Sequence, residues 1–188
     1  MVGAAAFGDP VRGDAEPAVR ALRERGWEVR VLSGDAQAVV DAVGRALDLP
    51  RTACLGGASP EEKRRVVERA HGERSVVMVG DGVNDAAAMA AATVGVGVHG
   101  GAEACLATAD VYLTRPGLDA LVDLVRGAER TMHVIRRNLA FSLVYNVIGA
   151  GLAMAGRIDP LVAALLMPAS SLTVVISSWQ ARTFGQRN

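Results

Sequence analysis

Two aspartates four residues apart, Asp81 and Asp85, stand in the stretch SVVMVGDGVNDAAAM at residues 75–89. An apolar run precedes them, Gly80 and Gly82 permit a tight turn, and an alanine-rich segment follows. Carboxylates are hard oxygen ligands suited to Mg²⁺, which takes one or two of them and fills its remaining positions with water and phosphate oxygens. Two further groups fit a phosphate. Ser33-Gly34-Asp35 ends another apolar run, where a hydroxyl and neighbouring backbone N–H groups can hold phosphate oxygens. Lys63, early in a charged helix-like segment, offers an ammonium to neutralise a phosphoryl group. A single S-G-D is ordinarily a turn, and a single lysine in a first helical turn is ordinarily a solvated charge. Two carboxylates and two glycines within six residues after an apolar run are rarely a mere loop. The ordered set of three is what points to phosphoryl chemistry.

These groups need a scaffold that brings strand ends together. The segment AEPAVRALRERG (15–26) has helical spacing and a closing Gly26, EVRVLSGD (28–35) alternates as a strand does, and AQAVVDAVGRALDL (36–49) reads as an amphipathic helix stopped by Pro50. Ser59-Pro60-Glu61-Glu62 is a strong helix start: a cap, a proline at the first helical position and a glutamate three residues after the cap. That helix is expected to run to about His71–Gly72. Strands are expected at 2–7, 76–79, 93–98 and 110–114, with a short alanine-rich helix after Asp85. The alternation of strands and helices predicts an α/β fold with a parallel sheet, whose ligands gather at the carboxyl ends of the strands.

Composition narrows the class. The 188 residues carry 20 basic and 20 acidic side chains, a formal net charge of zero, so no nucleic-acid partner is expected. Cys54 and Cys105 are far apart with no C-x-x-C spacing, which predicts neither a disulfide framework nor a zinc site. Residues 2–6 lack the basic leader and apolar length of a signal peptide. Most of the charge precedes Asn138. Beyond it, residues 139–156 form an 18-residue stretch without charge, and residues 160–179 form one of 20. A membrane helix needs about 20 apolar residues, so two spans joined by a short turn are expected. Arginines before the first (Arg136, Arg137) and after the second (Arg182, Arg187) place both ends in the cytoplasm. The alternative is a buried helical hairpin, which would demand an unusually large soluble core.

GDGVNDAAAM, preceded by SPEEK and LSGD, resembles the phosphorylation domain of the P-type cation-transporting ATPases, which have the haloacid dehalogenase fold. GDPVRGDAEPAVRALRERG is also similar to the segment preceding the T/S-G-D motif in those pumps. The resemblance covers essentially the whole chain. It implies a partial haloacid dehalogenase-like (Rossmannoid) domain at 1–117, a cytoplasmic linking helix at 118–138, a two-helix transmembrane hairpin at 139–179 and a cytoplasmic tail at 180–188. It implies that Ser33, with Gly34 and Asp35, contacts the phosphoryl group and that Lys63 stabilises its charge. Asp81 would ligate Mg²⁺, with Asp85 and Asn84 supporting the metal and the phosphorylation loop. ATP would be the phosphoryl donor, although no nucleotide domain lies in this sequence.

The transported ion is argued from the apolar stretches. Tyr145-Asn146 lies midway along the first, and Met167 with Ser170 and Ser171 lies in the second. Polar residues at membrane depth are functional candidates, and a methionine thioether favours Cu⁺ over hard ions. The Y-N and M-x-x-S-S pattern resembles the last two helices of the copper-type pumps, whereas zinc-type pumps carry a charged residue there and this sequence has none. Met167 as packing and the serines as small helix-interface residues are the competing assignments.

The resemblance also marks what the sequence does not contain. No D-K-T-G-T occurs in it, and Asp9 and Asp14 are not followed by K-T-G. Covalent catalysis then has no attacking group within this stretch, and the chain alone is expected not to pump. Three expectations remain open at this point: the carboxy-terminal part of a copper-type pump that joins the remaining amino-terminal part in cis or in trans; a membrane-anchored, non-catalytic partner or regulator of a full pump; and a soluble phosphatase of the same superfamily. The last would need its own D-x-D motif and no membrane spans.

Overall fold

The computed structural model describes residues 11–81, 83–101, 107–157, 159, 172, 175 and 176. The expected strand at 2–7, Cys105, most of the second apolar stretch with Met167, Ser170 and Ser171, and the tail at 180–188 lie outside the described residues. The chain divides into two units, Met1–Val122 and Asp123–Asn188.

In the first unit, helix α1 (Ala15–Arg23) buries Ala15, Ala18, Val19 and Leu22, the stripe that its spacing predicts. Strand β1 is only Val31–Leu32, the middle of the run expected at 28–35. Glu28 and Arg30, just before it, are occupied otherwise. Arg30 holds the Glu28 carboxyl below the usual range, and Arg74 at the end of the third helix reinforces it from 2.6 Å. Helix α2 (Gln37–Ala46) is shorter than expected. Its last turn unwinds, with the Leu49 N–H donating to Gly44 O at 2.8 Å, and both Leu47 and Leu49 then reach the core.

Strand β2 (Cys54–Leu55) pairs in parallel with β1, Val31 opposite Cys54 and Leu32 opposite Leu55. Two residues are too few for any periodic signal, and the sequence does not announce this strand. Helix α3 (Pro60–Glu73) starts where expected. The Ser59 hydroxyl accepts from the Glu62 N–H at 3.2 Å and the Glu62 carboxylate accepts from the Ser59 N–H at 2.9 Å, so the capping box is complete.

A three-stranded parallel sheet follows: β3 (Val77–Gly80), β4 (Val94–Gly97) and β5 (Val111–Tyr112), with β4 in the middle. Val77 stands opposite Val94 and Val96 opposite Val111. Between β3 and β4 come a 3₁₀ turn at Val83–Asp85 and the short helix α4 (Ala86–Ala90). The α/β class and parallel pairing agree with expectation, but the strands form two sheets, β1-β2 and β3-β4-β5.

The cores follow the same division. One cluster joins Ala15, Val19, Val40, Leu47, Leu49 and Cys54; another joins Val67, Met78, Ala88 and Met89. Leu32 of β1 packs against the second, so β1 and β3 share a core without sharing a ladder. Each fully buried side chain such as Met89 or Val96 contributes about 1.5–3 kcal/mol.

Helix α5 (Asp119–Met154) begins in the first unit and continues into the second. The expected linking helix and first apolar stretch are therefore one uninterrupted helix. Leu139, Phe141, Leu143, Val144, Val147 and Ile148 are exposed on several sides of it. The Phe141 and Tyr145 rings stack with centroids 6.3 Å apart. The helix closes where the Gly156 N–H bonds Ala153 O and the Arg157 N–H bonds Leu152 O. The apolar segment 139–154 thus rises about 24 Å, against a bilayer core of about 30 Å. Among the described residues no helix is long and apolar enough to cross a membrane.

Candidate active site

The predicted site residues of the first unit lie where strands end. Gly80 closes β3 and Asp81 follows it directly. The chain then turns through Val83–Asp85 so sharply that a Cβ on Gly80 would lie 2.6 Å from the Asp85 Cβ. Only glycine permits that approach, and it brings Asp85 back beneath the end of its own strand. Asp85 occupies the residue before α4 yet makes no side-chain cap there. Its carboxylate goes to Lys63 instead, Nζ to Oδ1 at 2.8 Å.

Lys63 is positioned by the capping box one residue ahead of it, its own N–H donating to Ser59 O at 2.9 Å. Both side chains of the pair are 12% exposed, and Asp85 is the buried charged residue among the described residues. Coulomb attraction at 2.8 Å in a partly desolvated setting offsets the cost of burying the two charges, and the short charge-assisted hydrogen bond adds to it. An ammonium has three donors, so Lys63 keeps capacity for further oxygens.

Asp81 and Asn84 differ from Asp85. Both are exposed, and neither makes a side-chain hydrogen bond or ion pair among the described residues. The Asp81 carboxylate is thus open to a hard cation. No group of three or more histidine, cysteine, aspartate or glutamate side chains clusters among the described residues. An all-protein cage is not assembled there, whereas Mg²⁺ with one or two carboxylates and phosphate oxygens needs none. The donor set fits that ion.

The Ser33–Asp35 loop forms a second, separate grouping. The Ser33 hydroxyl donates to Asp35 Oδ2 at 2.9 Å and accepts from the Asp35 N–H at 3.2 Å. Its backbone is laced to the loop after β2: the Ser33 N–H to Leu55 O and the Ala58 N–H to Ser33 O, both at 2.9 Å. The structure therefore brings Lys63 to Asp85 and Ser33 to Asp35, with no hydrogen bond between the two groupings. Tyr145 and Asn146 lie on α5, where the Asn146 amide donates to the Ser142 hydroxyl at 3.5 Å. Gln37 was not a sequence candidate. A glutamine opening a helix carries no signal, yet its amide bonds both Cys54 O and the Gly56 N–H.

Residues 2–93 match the haloacid dehalogenase-like hydrolase family. The chain is 38% identical over 96% of its length to the nitrogen fixation protein FixI of Rhizobium leguminosarum bv. viciae, covering 24% of that protein. It is 32% identical over 95% of its length to the probable copper-importing P-type ATPase A of Enterococcus hirae, covering 25%. Among solved structures, a zinc-transporting PIB-type ATPase in its E2.Pi state aligns with a TM-score of 0.86 and 30% identity, over 92% of this chain and 28% of that one. The chain spans about a quarter of the length of the curated relatives it matches.

Proposed function

We propose, from the homology of this haloacid dehalogenase-like α/β domain to the heavy-metal P-type ATPases, that the chain supplies the Mg²⁺-binding half of an aspartyl-phosphate site in a heavy-metal pump. The observation that carries the reading is the division of the sheet. β1 leads into Ser33-Gly34-Asp35, β3 leads into Asp81, and the two strands share the core around Met78 while belonging to different sheets. A parallel strand inserted between them would complete one sheet and bring its own carboxyl end between the two groupings. A D-K-T-G-T segment from the rest of the pump, in cis or in trans, is the natural occupant.

In that site Ser33 and the backbone of its loop bind phosphoryl oxygens. Lys63, oriented by Asp85, neutralises the charge that develops on them. Asp81 holds the Mg²⁺, which when bound screens phosphate charge and orients the reacting oxygens. Asn84, in the turn after Asp81, supports the loop. The attacking carboxylate belongs to the inserted strand and the ATP to a nucleotide domain, both outside this sequence. A free-standing phosphatase lacks support, since no D-x-D nucleophile motif occurs in the sequence.

The reading extends to the membrane. The exposed apolar residues of α5 support a first span from Leu139, with the second at 160–179 and the α/β domain cytoplasmic. Tyr145, Asn146, Met167, Ser170 and Ser171 would then line the path of the ion, with Cu⁺ favoured by the thioether and the absence of charge in that part of the sequence. In a completed pump, Met167→Ala should abolish copper-stimulated turnover. Retained stimulation would reduce Met167 to packing.

Amide hydrogen exchange tests the strand insertion. An amino-terminal pump portion carrying D-K-T-G-T, added to the full chain, should slow exchange of the β3 amides that do not face β4. Unchanged exchange despite complex formation would contradict the reading.

A further inference from the structure

We infer that Gln37 is a positioning residue for the Ser33–Asp35 loop, clamping the loop after β2 so that this loop in turn holds the phosphate-binding backbone; the assignment rests on the phosphate reading of Ser33. The Gln37 amide makes three bonds in three directions. Its Nε2 donates to Asp41 Oδ1 at 2.7 Å and to Cys54 O at 3.1 Å, and its Oε1 accepts from the Gly56 N–H at 2.7 Å. Asp41 is itself steadied by Arg51, Nε to Oδ2 at 3.2 Å. The clamp grips the loop on both sides of Leu55.

The grip is close. A Cβ on Gly56 would lie 2.6 Å from the Gln37 Cα and 2.9 Å from Asp35 O, so glycine alone lets the loop seat against the start of α2. From that seat the next residues reach the Ser33–Asp35 loop directly: the Gly57 N–H donates to Asp35 O at 2.6 Å and the Ala58 N–H to Ser33 O at 2.9 Å. Gln37 itself makes no bond to Ser33. It acts through Gly56, Gly57 and Ala58, and it needs a side chain that carries donor and acceptor together. Glutamate keeps the acceptor for the Gly56 N–H but sets a second oxygen against Cys54 O and Asp41. Leucine keeps the volume and loses all three bonds.

The test uses the full chain in detergent, with two readouts on wild type, Gln37→Leu, Gln37→Glu and Asp41→Asn. The first is amide exchange at Gly57 and Ala58, with β3 amides as the internal reference. The second is the dissociation constant for inorganic phosphate in the presence of Mg²⁺, followed by phosphorus NMR. Gln37→Leu should accelerate exchange at Gly57 and Ala58 about tenfold and weaken phosphate binding about tenfold, leaving β3 unchanged. Gln37→Glu should fall between, and Asp41→Asn, which keeps the acceptor oxygen but loses the Arg51 ion pair, should lie closer to wild type than Gln37→Leu. Exchange at Gly57 and Ala58 unaltered by Gln37→Leu overturns the inference whatever the phosphate result. Equal phosphate affinity in wild type and Gln37→Leu also overturns it. Altered exchange with no phosphate binding by wild type preserves the clamp and overturns the phosphate reading on which its function rests.

Discussion

Lys63 and Asp85 carry the strongest residue-level statement. Removing the lysine leaves a mostly buried carboxylate without its partner, so Lys63→Ala should cost about 3 kcal/mol in urea unfolding. The double variant Lys63→Met with Asp85→Leu should recover most of that loss, because neither charge then remains buried. A loss below about 0.5 kcal/mol for Lys63→Ala would mean that solvent already screens the pair. The residue types of this site were legible in the sequence, and Lys63 and the two aspartates stand where strand and helix ends were expected. The resemblance already separated the roles of the two aspartates, but not the contacts behind them. Asp81 and Asp85 look alike as letters, and only the close turn over Gly80 separates an open carboxylate from one held by an ammonium. Gln37 stayed hidden for a related reason, since its three partners come from separate positions along the chain.

At the scale of elements, Asp14 shows how one side chain can serve a distant helix. It occupies the residue before α1 and makes no cap there. Its Oδ2 accepts from the Leu118 N–H at 2.6 Å, across 104 residues, while Arg12 pairs with Oδ1 at 3.2 Å. Leu118 is in turn the residue whose carbonyl receives the Leu121 and Val122 N–H groups, so Asp14 secures the start of α5. The Leu118 hydrogen bond, with help from Arg12, holds the Asp14 carboxyl below its ordinary value. A group with a lowered folded pKa stabilises fully above its unfolded value and loses that contribution as pH falls through the folded one. Asp14→Ala should therefore cost about 1 kcal/mol at neutral pH. The gap from wild type should close below about pH 4 in thermal unfolding measured across pH. A gap that stays constant to strong acid would contradict the assignment. Local signals explain which elements were legible. The capping box of α3 and the apolar stripe of α1 are short-range patterns and were read correctly. Strand β2 is two residues long, and the unwinding of α2 depends on where Leu47 and Leu49 can be buried, so neither leaves a local trace.

For the whole molecule, the informative feature is a sheet in two parts around a shared core. The sequence alone pointed to a parallel sheet and to the lack of a D-K-T-G-T segment, but pairing is a long-range property, and only the fold shows β1 and β3 in different ladders. The same holds for α5, whose charged and apolar halves read as two elements and form one helix. On the proposed reading, the gap between the two sheets is where the D-K-T-G-T strand of a pump would insert. The most direct test is to supply labelled ATP to the full chain, alone and mixed with an amino-terminal pump portion bearing D-K-T-G-T, and to locate acid-stable phosphate. The account predicts none on this chain in either case, and label on the D-K-T-G-T chain in the mixture that is lost with Asp81→Ala. Label on this chain, or label in the mixture that survives Asp81→Ala, would contradict it.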